Sequence, residues 1–435
     1  MIIHTCKLAD IGMIFNGKTP SQEEQRSDGF PVLKIKDVSD DGRFVGYFDS
    51  YVSFNLAKEF AAKVICPGDT LILNAAHNAD YVGSKIYFAE TSVAGTLPTG
   101  EWLLIRPDAQ KGNPRYINFW LQTTQMRRKI KDLVKGIHLY PKDVANLSIY
   151  LPPLSEQKRI AVILEKADRL RRQRHYALEL SSTYLQSVFL EMFGDPPNNP
   201  RNWKIQSLVS ISQRFSDGPF GSNLKTEHYT SSGIRVIRLQ NIGIGQLIDD
   251  DKAYISESHF ASLGKYSCLP GDVVVGTLGD PNLRACILPD SIPVALNKAD
   301  CVQIRTNPDL AIAEYICWLL NMPHTLFMAT GMIHGQTRAR INMGRLADLQ
   351  VPVPPLPLQQ KFAQIAQKFE RLRAQQREAE RQAEHLFQTL LHQAFEGNVG
   401  VGSGGVQGEA MEDVVQSSVV DSQLTGSFLQ LEMKY

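Results

Sequence analysis

The sequence predicts a mixed α/β (α+β) fold, in which two globular modules are joined by two long antiparallel helices that form a coiled coil. The first observation is an internal repeat: Pro152 begins Pro-Pro-Leu-Ser-Glu-Gln-Lys-Arg-Ile-Ala, and Pro354 begins Pro-Pro-Leu-Pro-Leu-Gln-Gln-Lys-Phe-Ala. The second is that both segments continue for about forty residues with apolar residues at alternating spacings of three and four, as in helices that pack together. A repeat of this length indicates a duplicated domain and a pseudo-twofold arrangement.

The apolar seam that we predict for the two helices has seven matched positions. In the first helix these are Ile160, Ile163, Ala167, Leu170, Ala177, Tyr184 and Val188, and in the second they are Phe362, Ile365, Phe369, Leu372, Ala379, Leu386 and Leu390. Because a whole module separates the tandem repeats, the helices are expected to pair antiparallel within one chain.

The globular modules repeat as well. Pro67-Gly68-Asp69 resembles Pro270-Gly271-Asp272, and Tyr116-Ile117-Asn118-Phe119-Trp120-Leu121 resembles Tyr315-Ile316-Cys317-Trp318-Leu319-Leu320. Short β-branched runs predict strands at 31–38, 69–74 and 85–89, and the pattern of 114–133 predicts one amphipathic helix.

These patterns divide the chain into five parts. The predicted parts are a first module (1–150), a first long helix (151–195), a second module (196–351, of which 196–202 is a proline-rich linker), a second long helix (352–398) and a flexible acidic tail (399–435).

Composition excludes several classes of protein. With 43% hydrophobic and 21% charged residues the chain is globular, and no apolar run is long enough to cross a bilayer. Six scattered cysteines without CxxC spacing and an N-terminus without the layout of a signal peptide lead us to expect a cytoplasmic protein. The net charge is only +1, so nucleic-acid binding would require local basic patches or a cationic partner.

Motifs for catalysis are weak or absent. Gly12 to Thr19 satisfies the phosphate-loop pattern, but Leu8 to Ile11 before it is a poor strand and Pro20 follows at once. Asp195-Pro196-Pro197-Asn198 lacks the aromatic residue of the amino-methyltransferase loop, and the histidines have no metal-ligand spacing. We therefore expect neither an active site nor a metal site in this chain.

Two clusters of cations precede the Pro-Pro-Leu segments. The first contains Arg127, Arg128, Lys129, Lys131 and Lys135, and the second contains Arg338, Arg340 and Arg345. Such residues neutralise DNA phosphates in some proteins and form an ordinary solvated surface in others.

Taken together, these motifs resemble specificity subunits of type I restriction-modification systems. The resemblance spans residues 1 to about 398 and rests on the paired Pro-Pro-Leu-x-x-Gln helices, the Pro-Gly-Asp strand starts and the Met192-Phe193-Gly194-Asp195-Pro196 boundary. Two further motifs also match: Gly17-Lys18-Thr19-Pro20-Ser21 and Gly218-Pro219-Phe220-Gly221-Ser222-Asn223-Leu224-Lys225.

The resemblance implies a non-catalytic subunit that binds double-stranded DNA. Each module would be a target recognition domain for one half of a bipartite sequence, and the helices would set the spacing between the halves. Partner methylation subunits would bind S-adenosylmethionine and methylate adenine at N6, and an ATP-driven restriction subunit would cleave. The chain itself would need no cofactor.

Candidate DNA-binding residues are polar side chains in turns and at strand ends. They are Lys36, Asp37, His77, Asn78, Arg127, Arg128, Ser222, Asn223, Lys225, Arg238, Gln240, Asn241, Thr277, Asn282, Arg338 and Arg340. For each one, an ordinary role in a turn or on the surface stays open.

Three alternatives to this function remain open. The chain could be the recognition partner of an adenine methylase that lacks type I cleavage, a coiled-coil scaffold that does not bind DNA, or a self-contained methyltransferase.

Overall fold

The computed structural model describes residues 5–279, 283–330 and 340–395, so the predicted acidic tail lies outside the described residues. The chain divides into two compact units. The first unit combines Met1–Arg174 with Ala379–Tyr435, and the second unit is His175–Glu378. Each unit therefore contains one module and one half of each long helix.

The first module contains three small sheets. Its strands are β1 (Thr5–Lys7), β2 (Gly12–Asn16), β3 (Phe30–Leu33), β4 (Tyr51–Val52), β5 (Thr70–Leu73), β6 (Ile86–Phe88), β7 (Leu97–Pro98), β8 (Trp102–Pro107) and β9 (Ser148–Tyr150). Its helices are α1 (Leu8–Ile11), α2 (Phe54–Glu59), α3 (Pro114–Gln122), α4 (Thr124–Asp132) and α5 (Pro141–Ala145). The antiparallel sheet β2-β8-β5-β6 adjoins the sheet β4-β3-β7, in which β3 and β7 run parallel, and β1 pairs with β9.

The single helix predicted over 114–133 is wrong, because the chain forms α3 and α4 there. Thr123 separates them with an extended backbone (ψ 150°). Its hydroxyl accepts a hydrogen bond from the Met126 amide at 3.2 Å and so caps α4. A threonine within an amphipathic pattern gives no strong sign of such a break.

The first long helix, α6, spans Leu154–Phe193, and the second module follows it. The strands of this module are β10 (Lys204–Ser207), β11 (Ser212–Ser216), β12 (Tyr229–Thr230), β13 (Ile234–Ile237), β14 (Ala253–Ile255), β15 (Ser267–Cys268), β16 (Val273–Gly276), β17 (Arg284–Ile287), β18 (Ala295–Asn297), β19 (Cys301–Thr306) and β20 (Gln350–Val353). Its helices are α7 (Glu257–Ser262), α8 (Ala313–Leu320), α9 (Pro323–Thr330) and α10 (Met343–Ala347), and α11 (Leu356–Phe395) is the second long helix.

The second module repeats the topology of the first. The sheet β11-β19-β16-β17 corresponds to β2-β8-β5-β6, and β10 pairs with β20 as β1 pairs with β9. The remaining sheet, β12-β14-β13-β18-β15, is larger by two strands, but its central pair β13 and β18 is again parallel. The predicted duplication and fold class are confirmed.

The long helices pair antiparallel, as the sequence predicts. In the first unit, Ile163 and Leu164 near the start of α6 pack against Phe387 and Leu390 near the end of α11. In the second unit, residues near the end of α6 pack against Phe362 near the start of α11. Among the described residues, no helix has the apolar length that crossing a membrane requires.

The predicted seam holds only in part in the second half of α6. Tyr184 is 41% exposed but stacks on Phe369 of α11 at 5.0 Å, and Val188 is partly buried. The neighbouring Leu185 and Phe189 are fully buried. Phe189 stacks on Tyr315 of α8 at 5.5 Å and also meets Phe362 edge-on. The buried face is therefore set by the module as well as by the partner helix.

The glutamine of each Pro-Pro-Leu-x-x-Gln motif joins a long helix to its module. Gln157 accepts a hydrogen bond from the Asn113 amide at 2.8 Å and donates one to the Pro152 carbonyl at 2.8 Å. Gln359 accepts one from the Ile312 amide at 2.9 Å and donates to the Pro354 carbonyl at 2.7 Å. Both glutamines are buried, so each satisfies backbone groups that water cannot reach.

A matched tyrosine joins each module to the end of the other long helix. The Tyr116 hydroxyl donates to the Tyr150 carbonyl at 3.1 Å, and its ring lies 4.9 Å from that of Phe395. The Tyr315 hydroxyl donates to the Pro352 carbonyl at 2.7 Å, and its ring lies 4.8 Å from that of Phe193. Each unit is thus closed by a helix end from a distant part of the chain.

Candidate functional site

Three turns of the first module meet at one edge. Gly17–Ser21 follows β2, Lys34–Asp37 follows β3, and Thr99–Glu101 precedes β8. The Lys18 amide donates to the Pro98 carbonyl at 2.9 Å, and the Thr99 amide donates to the Leu33 carbonyl at 3.0 Å. We call this surface the three-turn edge.

The second module has the same three-turn edge. Its turns are Asp217–Ser222 after β11, Arg238–Asn241 after β13 and Lys298–Asp300 before β19. The Lys298 amide donates to the Ile237 carbonyl at 2.9 Å, which repeats the bond from Thr99. The backbone frame is therefore common to both modules.

A glycine allows the first turn to approach the third in each edge. A Cβ on Gly17 would lie 2.2 Å from the Thr99 carbonyl oxygen, and one on Gly218 would lie 2.3 Å from the Lys298 carbonyl oxygen. Both distances are too short for any side chain. The Gly17-Lys18-Thr19 segment therefore serves as a turn that packs against backbone, and β3 rather than a helix follows it.

The second turn is closed by a buried polar side chain in both modules. Asp37 accepts a hydrogen bond from the Lys34 amide at 2.7 Å, and Asn241 accepts one from the Arg238 amide at 3.0 Å. Asp37 is 2% exposed and Asn241 is not exposed at all, and burial raises the pKa of Asp37. These two candidates therefore shape the turn and orient their neighbours.

The side chains next to these buried residues differ between the modules. Lys36 forms an ion pair with Asp49, and the hydrogen bond between them raises the pKa of Lys36. In the second module, Gln240 donates to Asp251 at 2.8 Å and Arg238 pairs with the same carboxylate at 2.6 Å. These two hydrogen bonds lower the pKa of Asp251.

The edge of the first module forms an open cavity of about 300 Å³. Polar and cationic groups from all three turns line it. The lining residues are Thr19, Pro20, Gln25, Lys34, Ile35, Lys36, Ser50, Thr99 and Glu101. The Thr19 hydroxyl lies 3.3 Å from a carboxylate oxygen of Glu101.

The edge of the second module carries an aromatic ring and an arginine instead. Phe220, at the position of Thr19, is 47% exposed, and the Arg340 guanidinium lies 5.3 Å from its ring centre. Arg340 also forms an ion pair of 2.7 Å with Asp300. Thr277 is buried, and its hydroxyl donates to the Asp300 carbonyl at 3.2 Å.

The backbone shows which residues of the two edges are equivalent. Asn74 and Thr277 donate their amides to the carbonyls of Glu101 and Asp300, respectively. Isolated antiparallel bridges join Ala75 to His138 and Leu278 to Arg340. Glu101 thus corresponds to Asp300, and His138 corresponds to Arg340. Arg340 therefore matches His138 rather than a residue of the first cation cluster.

Sequence reasoning did not select Glu101 or His138 as candidates. Their signal is weak, because each is a single polar residue in a loop. The bridge places His138 at the edge, and the carbonyl contact, the cavity lining and the contact with Thr19 place Glu101 there.

The other candidates lie in different places. Arg127 and Arg128 belong to α4, where loss of hydration and then the charge of Arg171 lower the pKa of Arg127. His77 and Asn78 are exposed after β5, and Asn78 caps the turn Ala79–Tyr81. In the loop after Phe220, Ser222 follows Gly221, Asn223 donates to the Phe220 carbonyl at 3.2 Å, and Lys225 pairs with Glu227. Asn282 and Arg338 lie outside the described residues.

Metal ligation has no support in the part of the chain that the structure describes, since no three His, Cys, Asp or Glu side chains group there as ligands. The equivalent ion pairs Asp69–Arg106 and Asp272–Arg305, each at 2.7 Å, instead hold strand ends together.

Comparison with known proteins identifies the family. Residues 3–180 match the family model described as the type I restriction modification DNA specificity domain. The specificity subunit of the type I restriction enzyme MjaVIII of Methanocaldococcus jannaschii is 20% identical over 291 residues, which cover 62% of this chain and 67% of that protein. Residues 3–180 therefore match the DNA specificity domain of type I restriction-modification systems, and the chain is similar to specificity subunits of that family. Subunits of this family are non-catalytic and confer the specificity of their complex.

Further relatives agree with this assignment. The putative type I restriction enzyme MjaX specificity subunit of the same organism is 29% identical over 165 residues, which cover 36% of this chain and 37% of that protein. The fold resembles the crystal structure of the S subunit from M. genitalium, with a TM-score of 0.55, 13% identity and coverage of 91% of this chain and 96% of that one. A chain from a structure on assembly and conformational transition of the type I R-M system has a TM-score of 0.50, 18% identity and coverage of 91% and 98%.

Proposed function

We propose that this specificity subunit recognises a bipartite sequence in double-stranded DNA and that each module reads one half through its three-turn edge. The observation that carries the proposal is that both modules build this edge from equivalent backbone hydrogen bonds but place different side chains on it. Sequence is read by side chains that reach base edges, whereas the frame only positions them. A constant frame with variable side chains therefore suits two readers of different half-sites.

The proposed readers are the outward side chains of the edges. In the first module they are Lys36, Gln25 and Glu101, which line the cavity. In the second module they are Gln240 and Arg340. The buried candidates Asp37, Asn241 and Thr277 hold the turns in place.

Partner subunits are proposed to supply the remaining activities. Because Lys36, Arg238 and Arg340 are each paired with a carboxylate, the edges contribute little net charge to phosphate binding. Methylation subunits that carry S-adenosylmethionine would add contacts to DNA and methylate adenine. A restriction subunit driven by ATP would cleave, so that the chain itself requires no cofactor.

An exchange of modules tests this division of labour. Residues 200–350 are replaced by the second module of another family member, and the protein is produced in cells together with its methylation subunit. Sequencing of methylated adenines should show a change in one half of the target only, and exchange of residues 12–140 should change the other half. Changes in both halves from one exchange would refute modular recognition.

Binding of the methyl donor tests the assignment of cofactors. We expect no heat of binding when S-adenosylmethionine is titrated into the purified chain and clear binding when the methylation subunit is present. Stoichiometric binding by the chain alone would favour a self-contained methyltransferase.

A further inference from the structure

Arg340 is held in one orientation by three neighbours. Its Nε lies 2.7 Å from a carboxylate oxygen of Asp300, and its guanidinium lies over the ring of Phe220. Its backbone forms a bridge with Leu278. A long flexible side chain thus loses most of its conformational freedom before any ligand binds, which lowers the entropy cost of recognition.

The groups that hold Arg340 are themselves fixed by buried contacts. The Ile341 amide donates to the Thr277 carbonyl at 3.0 Å, and the Thr277 amide donates to the Asp300 carbonyl at 2.9 Å. Thr277 is 1% exposed and Ile341 is fully buried. The arginine therefore projects from a rigid part of the module, which favours a site that must place atoms accurately.

The terminal nitrogens of Arg340 are available to a ligand. The side chain is 43% exposed, and within the described residues its guanidinium contacts Asp300 and Phe220. An arginine has five N–H donors in a planar fork. Because Nε lies against the Asp300 carboxylate, the pair of terminal amino groups remains for a planar ligand that offers two acceptors.

The local charge argues against a phosphate as that ligand. Asp217 and Asp300 lie beside Arg340 in this edge, and burial raises the pKa of Asp217. Lys298 is the cation of the third turn, so positive and negative groups nearly balance. Phosphate binding depends on net positive charge, and a carboxylate next to the arginine weakens it. The same carboxylate helps a base reader, because it fixes the plane of the guanidinium.

We propose that Arg340 reads a guanine in the second half of the target by donating its two terminal amino groups to O6 and N7 in the major groove. Asp300 and Phe220 act as positioning residues. The inference rests on the proposed function and goes further by naming the base and the residue that recognises it.

The first module carries different side chains at the equivalent positions, which supports the assignment of Arg340 as a base reader. Glu101 replaces Asp300 there and faces Thr19, while His138 occupies the position of Arg340. The same frame thus carries another side chain at the reading position. We expect the corresponding base of the first half not to be selected by an arginine.

Selection from a DNA library tests the proposal. The complex of the full chain with its methylation subunits is offered duplexes randomised in both half-sites, and Arg340→Ala and Arg340→Gln are compared with wild type. Lys204→Ala removes an exposed cation of the same module away from the edge and is the control.

Arg340→Ala should lower affinity for the preferred sequence roughly 5- to 150-fold, the range for one bidentate arginine–guanine contact. The loss should be confined to one guanine of the second half. Arg340→Gln should shift that position towards adenine, since glutamine pairs with N6 and N7 of adenine. Lys204→Ala should leave every base preference unchanged.

Asp300→Asn distinguishes the role of Asp300 in orienting Arg340 from the effect of its negative charge on DNA binding. It should reduce discrimination for guanine at that one position while increasing binding to non-specific DNA at low salt, because it removes a negative charge. A purely structural role would lower both. Asparagine also tolerates the left-handed backbone of Asp300, whose φ is 66°.

The outcomes distinguish this inference from the proposed function. If the wild-type complex selects no bipartite sequence, the proposed function fails. If wild type selects one but Arg340→Ala weakens all duplexes equally with a smaller salt dependence, Arg340 contacts phosphate and the inference is overturned. Unchanged base selection by both Arg340 variants would also overturn the inference. If alanine at this position disturbs the module, the base preference of Arg340→Gln decides whether Arg340 reads a guanine.

Discussion

Replacing Gln359 by leucine tests whether one buried side chain joins α11 to the second module. Gln359 is fully buried, accepts a hydrogen bond from the Ile312 amide, and donates to the carbonyls of Pro354 and Leu310 at 2.7 and 3.1 Å. Leucine is similar in size but makes none of these bonds. One N–H group and two carbonyl groups would remain buried without partners.

The expected loss follows from these three groups. Each unsatisfied buried group costs about 1–3 kcal/mol, so the lower bound for Gln359→Leu is about 3 kcal/mol. For a cooperative body of 150–250 residues this lowers the midpoint of unfolding by roughly 6–12 °C. Gln157→Leu deprives only the Asn113 amide and the Pro152 carbonyl, so at least about 2 kcal/mol is expected in the first unit.

Scanning calorimetry of the full chain measures both effects. Gln359→Leu should lower the transition of the second unit, and Gln157→Leu that of the first. Gln360→Leu is the matched control, since Gln360 is exposed on the same helix turn and should change stability by less than about 0.5 kcal/mol. If Gln359→Leu costs no more than Gln360→Leu, the glutamine does not secure the helix.

Three further variants test other parts of the structure. Burial raises the pKa of Asp37, so its contribution to stability is lost as pH rises from its unfolded pKa through its folded one. In urea unfolding, the free energy of unfolding of Asp37→Asn relative to that of wild type should therefore increase from pH 3 to pH 7. A difference that stays constant with pH would contradict this. Gly218→Ala should destabilise the protein by about 1–3 kcal/mol, because its Cβ would lie 2.3 Å from a carbonyl oxygen. The control Gly264→Ala should be neutral in the same assay, because its Cβ would lie in open space. A cysteine pair at Ile163 and Leu386, which share one apolar cluster, should be joined by a short bismaleimide; failure to crosslink on a gel would refute antiparallel pairing.

The features that the sequence predicted best depend on residues that make the same buried contacts in both copies of the repeat. The Pro-Pro-Leu-x-x-Gln motif marks Gln157 and Gln359, and each makes equivalent bonds at the start of a long helix. Tyr116 and Tyr315 likewise stand out in matching segments and make equivalent contacts. Duplication preserves such residues because each satisfies several buried groups at once.

Loop residues were harder to match, because insertions change the offset between the copies. It is 199 residues at Tyr116 and Tyr315 but 202 at Gln157 and Gln359. The equivalence of His138 and Arg340 became visible only through backbone bridges.

The sequence also does not tell a polar residue that caps a turn from one that faces outward. Asp37 and Lys36 are adjacent after the same strand, yet Asp37 is buried and Lys36 is exposed. That distinction depends on which side chain reaches back to the amide of Lys34.

The assembly of each unit from two chain segments has a consequence for the order of folding during synthesis. The second unit is one continuous segment, His175–Glu378, whereas the first needs residues from Ala379 onward. Tyr116 leaves the ribosome roughly 280 residues before Phe395, which is about 15–55 s at ordinary rates of translation. During that time the apolar surface around Phe119, which α11 finally covers, is open to other chains. The module synthesised first is therefore the last to be completed, and a slow or truncated translation would expose it to aggregation while leaving the second unit intact.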